Sequence, residues 1–349
     1  MELDVITTAN PRAWTGALER SGWQDFYHEC WYHQLAEQAG EGTGQLLVIS
    51  HAGRTFTLPV LLRPIAGARG RTGAPLHDAT SVYGYAGPTG VFDGVDDDAW
   101  AVMSAAIREH LVTTDTVSLF ARLHPLRDQQ SLFAGAGQIV DVGTTVSVDL
   151  TTPDAQQWRE YRADNRNRIS RLRREGYVCE AREPGDLETF IELYEATMRR
   201  VSAKTYYVFP RDYYAALVDR ARGGLEIFVV TDGEGTPAAA GLFSFRGDVV
   251  QYHLSGAGEG YRKQAPTTLL LDTVRRVAIA RGARHLHLGG GLGGAEDSLF
   301  AFKAGFGGGR HRFRVVQWIL DPEAYRELAA RRAGRGPAPV GFFPGYRAP

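Results

Sequence analysis

Residues whose types and spacing could hold a ligand or an anion fall into three groups. The first is Gly289-Gly290-Gly291-Leu292-Gly293-Gly294, directly after an apolar run His285–Leu288 that reads as a strand. Glycines at the carboxyl end of a strand allow positive φ and close approach of a ligand to the backbone. The same run also suits a flexible connector, and residue type alone leaves both readings open. The second group is a run of arginines, Arg159, Arg162, Arg166, Arg168, Arg171, Arg173 and Arg174, set against only Glu160 and Asp164. On one continuous helix Arg159, Arg162 and Arg166 share a face, with Arg168 and Arg171 on another. Such a stripe suits phosphates, and a solvated helix face accounts for it about equally well. The third group is Tyr83, Tyr85, Tyr206, Tyr207 and Tyr252, all at predicted loops or strand ends. Each alone is ordinary packing; as a set around one cleft, tyrosine hydroxyls would donate to carbonyl or phosphate oxygens.

Other chemistries find no support. His285 and His287 share one strand face, but no third ligand is spaced to join them, so no metal site is expected. No Ser-His-Asp or Cys-His arrangement carries a supporting motif, which disfavours a covalent acyl-enzyme. No cofactor is expected.

The elements that must carry these groups come from a chain of 349 residues, long for one compact domain and comfortable for two. With 44% hydrophobic and 23% charged residues it can bury a full core without staples. Its two cysteines, Cys30 and Cys179, therefore read as inert thiols in a reducing compartment. The acidic N-terminus does not read as a signal peptide and no apolar stretch is long enough to span a bilayer, so a cytoplasmic location is expected. A formal net charge of −1 excludes a whole-protein basic field, so any polyanion must be met by a local patch. The arginine run is the candidate for such a patch.

Two segments repeat one order: strand, Gly-containing turn, strand, aromatic strand or loop, helix, strand. The first runs from GQLLVISHAGRTFTLPVLLRPI through VYGYAGPTG and DDAWAVMSAAIREHL to VSLFARLHP. The second runs from GLEIFVVTDGEGTPAAAGLFSF through VVQYHLSGAGEG and APTTLLLDTVRRVAIARGA to HLHLGGG. This predicts a duplicated α/β unit, with the boundary near 150. A strand is expected at Val146–Leu150, then helices over about 154–175, 185–202 and DYYAALVDRARGG. The Gly- and Pro-rich tail GRGPAPVGFFPGYRAP is expected to be irregular and mobile.

Several stretches make the pattern more specific: Tyr83-Gly84-Tyr85-Ala86-Gly87-Pro88, Tyr252-His253-Leu254-Ser255-Gly256, Ala265-Pro266-Thr267, Leu288-Gly289-Gly290-Gly291 and Phe302-Lys303-Ala304-Gly305-Phe306. In this order, over roughly 20–325, the chain resembles the Fem family of aminoacyl-tRNA-dependent transferases, without the long two-helix arm some members carry. The resemblance implies two tandem GNAT-like (acyl-CoA N-acyltransferase-type) domains, residues 1–150 and 151–349, with the transfer site in the second. It implies an aminoacyl-tRNA donor and an amine acceptor, either a peptidoglycan precursor peptide or a natural-product amine.

On residue type alone Phe302-Lys303 is a surface lysine beside a core aromatic. The resemblance makes Lys303 the first candidate for catalysis, as an ammonium aimed at the ester oxygen or at a tRNA-end phosphate. Phe302 would then stack on a base or pack the pocket, and Asp297 would orient Lys303 or accept the amine's proton. A CoA-dependent GNAT enzyme cradles pyrophosphate on backbone N–H groups opening a helix, which requires glycines. Here that stretch is Arg262-Lys263-Gln264-Ala265-Pro266-Thr267, where Ala265 and Thr267 fill the glycine positions and Pro266 removes a donor. Only the side chains of Arg262 and Lys263 remain for phosphate. An acyl-CoA-dependent N-acyltransferase and a non-catalytic tRNA- or precursor-binding module are the alternatives.

Overall fold

A computed structural model describes residues 1–70, 73–201, 209–220, 224–333 and 341–348. In chain order its elements are β1 (Glu2–Thr7), α1 (Pro11–Ser21), α2 (Cys30–Gln38), β2 (Thr43–His51), β3 (Arg54–Arg69), β4 (Pro75–Thr80), α3 (Asp97–Thr113), β5 (Thr116–Arg122) and β6 (Gln138–Asp149). There follow α4 (Asp154–Glu160), α5 (Ala163–Arg174), β7 (Val178–Arg182), α6 (Leu187–Arg200), α7 (Arg211–Arg220), β8 (Leu225–Thr231), β9 (Pro237–Arg246) and β10 (Val249–Ala257). The last are α8 (Thr267–Ala280), β11 (His285–Gly289), α9 (Ser298–Lys303), β12 (Gly309–Ile319) and α10 (Pro322–Ala333).

The chain forms two compact units, Met1–Val142 with Arg312–Pro349, and Gly143–His311. The division lies inside β6, ahead of the expected boundary at 150, and the C-terminal segment returns to the first unit. In the first unit the strand order is β1-β2-β3-β4-β5-β12, and in the second β6-β11-β10-β9-β8-β7. Each unit contains one parallel pair, β4 with β5 and β10 with β11, joined by α3 and α8 respectively. The other pairings are antiparallel. The repeated order read from the sequence is thus two tandem α/β units of like topology.

Strand periodicity explains the layers. In β2, Leu47 and Ile49 belong to one apolar cluster with α3, whereas Leu46 and Val48 belong to another with α1. Alternate side chains serve opposite faces of the sheet. In the second unit Val146, Val148, Val250, Leu286 and Leu288 pack against Leu270 and Val274 of α8 and Ile169 and Leu172 of α5.

The helix predicted over 154–175 is broken. Tyr161 is extended (φ −60, ψ 140), and α5 starts afresh after Arg162. The break lets the Tyr161 ring into the core, edge-on to Phe306 at 5.1 Å, with its hydroxyl donating to Asp272 at 3.2 Å. Asp272 is fully buried and also takes Arg275, Arg173 and Arg276. Arg275, itself fully buried, reaches Gln157 at 2.9 Å and Asp154 at 2.6 Å. A buried charge of either sign is tolerated only when paired and hydrogen-bonded in this way, and the pairing fixes α4 and α5 against α8.

The described end of the tail is anchored, contrary to expectation. Tyr346 Oη bonds Ser118 Oγ at 2.8 Å, and Arg347 Nε donates to the buried carboxylate of Asp78 at 2.6 Å. Arg63 takes the other Asp78 oxygen at 2.6 Å. Both cysteines are free thiols, and burial pushes the pKa of each up to about 12. Among the described residues no helix is long and apolar enough to cross a membrane.

Candidate active site

The second unit owes its site to a split between parallel strands. β10 and β11 pair over Val249–Gln251 and His285–His287. Beyond that, β10 continues against β9 with a register shift between Tyr252 and Leu254, while β11 continues to Gly289 against β6. The strands part just where the motif residues Tyr252 and Gly289 to Gly291 begin.

Lys303 reaches this place from the last turn of α9. The chain contains three lysines, Lys204, Lys263 and Lys303, and Lys303 is 8% exposed. Its Nζ donates to the carbonyl oxygen of Gly290 at 2.7 Å and lies 5.7 Å from the Tyr252 ring centroid. Burial pulls the ammonium down to about 8, with the negative charge of Asp297 working against that shift. At pH 7 such a group is still about ten parts ammonium to one part amine. It is a charged hydrogen-bond donor within about one pH unit of neutrality at pH 7.

Asp297 caps α9. Its carboxylate accepts from Phe300 N at 2.9 Å and from Leu292 N at 3.1 Å. Burial raises its pKa, but these backbone donors, a further one at Leu299 and the charge of Lys303 together hold it below the ordinary value. The carboxylate therefore fixes the glycine loop and sets the local field for Lys303. Gly289 has φ +73. A Cβ at Gly290 would lie 2.7 Å from Thr144 O, and one at Gly291 would collide with Ala295 O and Asp297. The close approach that these glycines allow is to the protein's own backbone, which aims the Gly290 carbonyl at Lys303.

Tyr252 stacks on Phe243 at 5.2 Å and hydrogen-bonds Ser255; burial raises its pKa to about 12. Phe302 points into the core, edge-on to Phe306 at 5.3 Å. Lys303, Asp297, Gly290, Gly291 and Tyr252 are thus brought together, and Phe302 supports them from the apolar side. Arg159, Arg162 and Arg166 lie at the α4–α5 break and not on one helical face. Arg166 turns its guanidinium back to the carbonyls of Arg159 (2.9 Å) and Tyr161. Arg159, Arg162, Arg168, Arg173 and Arg174 are exposed.

Arg262 and Lys263 are exposed ahead of α8. The backbone donors there are turned inward: Ala265 N to Tyr261 O, Thr268 N to Ala265 O and Leu269 N to Pro266 O, each at 3.0 Å. Ala265 itself takes φ +52, unusual for a residue with a Cβ. These donors are spent within the chain, and Pro266 supplies none.

Tyr83 and Tyr85 belong to the first unit. Tyr83 O accepts from Tyr32 Oη at 3.1 Å, and the Tyr85 ring meets Tyr27 and Phe313 edge-on. There the corresponding split after β4 and β5 is bridged by Arg122, whose guanidinium donates to Ser81 O at 3.2 Å and Val82 O at 3.4 Å. Tyr206 and Tyr207 lie outside the described residues.

Two features are not anticipated from the sequence. Asn165 lies in line with the buried Ile169 and Leu172 on α5, a polar residue on an apolar stripe, which is a legible signal. The buried pair His124 Nε2 and Asp25 Oδ2, 3.2 Å apart in the first unit, joins residues 99 apart in sequence and carries no local signal.

Residues 159–304 match the acetyltransferase (GNAT) domain family. Among solved structures, FemX superposes with a TM-score of 0.73 at 14% identity, over 94% of this chain and 99% of that one. L-PGS from Bacillus licheniformis gives 0.56 at 15% identity, over 89% and 92%. The C-terminal domain of a putative lysylphosphatidylglycerol synthetase from Agrobacterium fabrum gives 0.53 at 14%, over 91% and 97%. No curated protein matches the sequence. The chain has a Fem-like tandem GNAT fold.

Proposed function

We propose that this chain is an acyltransferase that moves an aminoacyl group from aminoacyl-tRNA to an amine, forming an amide. The observation that carries the reading is the buried ammonium of Lys303, held on Gly290 O at the split between β10 and β11. The Fem-like fold, the GNAT match over 159–304 and the motif order support it.

In the reaction the amine nitrogen attacks the ester carbonyl carbon and a C–N bond forms. The C–O bond to the tRNA ribose breaks, and one proton passes from the amine to the departing ribose oxygen. Negative charge gathers on the carbonyl oxygen in between. A desolvated ammonium stabilises that charge more than it stabilises the neutral ester. Holding ester and amine together supplies much of the remaining rate. Asp297 keeps the loop and the lysine in register, Tyr252 forms a wall of the site with Phe302 packed behind the lysine helix, and the exposed arginines around α5, with Arg262 and Lys263, meet phosphates. A cell-wall precursor peptide and a natural-product amine both satisfy this chemistry.

The acetyltransferase match favours one rival, an acyl-CoA donor. The inward-turned donors before α8 argue against it. The deciding experiment offers purified protein a radiolabelled aminoacyl-tRNA mixture or acetyl-CoA with an amine acceptor. Label passing from tRNA to the amine supports the proposal. Acetyl-CoA binding with a Kd near 1 μM, about −8 kcal/mol, together with acetyl transfer, replaces it with the rival. Binding of tRNA without transfer to any amine makes the chain a binding module.

A further inference from the structure

The helix that carries Lys303 is held at its end by a residue of the arginine helix. Asn165 is 1% exposed, and its Nδ2 donates to Gly305 O at 3.0 Å. The backbone N–H of Arg162 donates to the same oxygen at 2.9 Å. Gly305 closes the turn after α9: Gly305 N donates to Phe302 O at 3.1 Å, and Phe306 N donates to Lys303 O at 3.0 Å. The turn is also packed from that side. A Cβ at Gly305 would lie 2.6 Å from Asn165 Nδ2 and 2.8 Å from Arg162 Nε. The first turn of α5 therefore holds the end of the lysine helix with a backbone donor and a buried amide, and the exposed Arg162 guanidinium packs beside Gly305.

Asn165 is there at a cost. Its neighbours on the stripe, Ile169 and Leu172, are fully buried, and an apolar residue would fill the same space without needing a partner. The bond it makes goes to Gly305, two residues from Lys303. We propose that Asn165 is a positioning residue for Lys303, and that it ties an anion held by the exposed arginines of α5 to the lysine helix. This rests on the reading of Lys303 as the group that acts on the ester. An anion drawn to Arg162 pulls on the turn that holds Gly305. Small displacements there move an ammonium that must serve both Gly290 O and the substrate, with the Tyr252 ring 5.7 Å away and the charge of Asp297 acting on it.

With three lysines in the chain, lysine labelled with carbon-13 at the ε position gives three side-chain signals, and Lys303→Met identifies one of them. Its pH titration is followed in the wild type, in Asn165→Ala and in Asn165→Leu; the leucine keeps the volume and deletes the donor. An uncharged RNA minihelix ending in CCA serves as the anion probe. In both variants the Lys303 midpoint is expected to move by about half a unit or more. The RNA is expected to shift the Lys303 signal in the wild type and to lose that effect in the variants, with its Kd within about threefold. In the transfer assay kcat falls about tenfold with KM held. A folded Asn165→Leu protein with the wild-type midpoint and the wild-type response to RNA overturns the proposal. The titration and the RNA response need no transfer. A wild type inactive with aminoacyl-tRNA therefore counts against the proposed reaction, while these two readouts still decide the role of Asn165.

Discussion

Lys303 Nζ and Gly290 O stand 2.7 Å apart, joining the last turn of a short helix to the first glycines after a strand. An ammonium that is 8% exposed is expensive to keep, and here one backbone carbonyl and the nearby carboxylate of Asp297 keep it charged. The carbonyl is free to point this way because residue 290 has no Cβ to meet Thr144 O.

Lys303→Ala is expected to lower kcat about a hundredfold, roughly 3 kcal/mol, with the fold retained. Lys303→Arg should restore little, since a planar guanidinium does not fit an ammonium's place. Gly290→Ala should lose turnover as well, because the new methyl displaces the carbonyl that aims the lysine. Steady-state kinetics separate the roles: a fall in kcat alone marks the transition state, whereas a rise in KM alone marks a phosphate anchor.

Burial of Lys303 also sets a pH dependence of stability. The folded pKa is near 8 and the ordinary value is 10.5, so between these limits the unfolded chain binds more protons and stability rises with pH. The burial cost is fully present below pH 8. Relative to Lys303→Met, the wild type should gain about 3 kcal/mol in unfolding free energy between pH 8 and 10.5. Urea unfolding of both proteins at pH 7, 9 and 10 checks this, and a constant difference would mean an ordinary lysine.

The exposed arginines around α5 should give salt-dependent RNA binding. Arg166 is spent on backbone carbonyls, so Arg162 and Arg168 are the informative pair. Replacing both by Ala should lower the slope of log K against log salt by about two phosphate contacts' worth, roughly 1.4 to 1.8. An unchanged slope makes this face a solvated one.

In the first unit, His28 should make the protein acid-sensitive. Its Nε2 donates to Gly87 O at 2.9 Å and its Nδ1 accepts from Asp25 N at 3.0 Å, which fits the neutral ring. Burial lowers its pKa to about 4 from 6.5. The stability this confers is present above pH 6.5 and is lost as pH falls toward 4, about 3 kcal/mol in all. His33, lowered to about 4 by the same cause, adds to the loss. Denaturant unfolding at pH 7 and 4.5 should show a steep decline that His28→Gln flattens; equal declines in the two proteins would remove His28 as the cause.

Much of this is legible in the sequence because it is local. An unbroken apolar run marks a strand buried on both faces, as with Leu46 to Ile49 in β2. The repeated strand-hairpin-helix-strand order marks the duplication, and Pro266 marks a lost backbone donor ahead of α8, since a backbone donor is present or absent residue by residue. The motif order points to Lys303 without any geometry.

Tertiary structure decided what spacing does not carry. A continuous helical pattern across 154–175 gives no warning of the break at Tyr161, which happens because that ring is worth more in the core against Phe306 and Asp272 than on a helix surface. The break removes the expected arginine face and creates the turn that grips Gly305. It takes the fold to bury Lys303 and to bring its ammonium beside the Tyr252 ring. The setting of the lysine helix depends on bonds between residues far apart in the chain, such as Asn165 and Gly305. Local periodicity reports which residues must leave water; which polar group each of them meets there is settled only when distant segments close on one another.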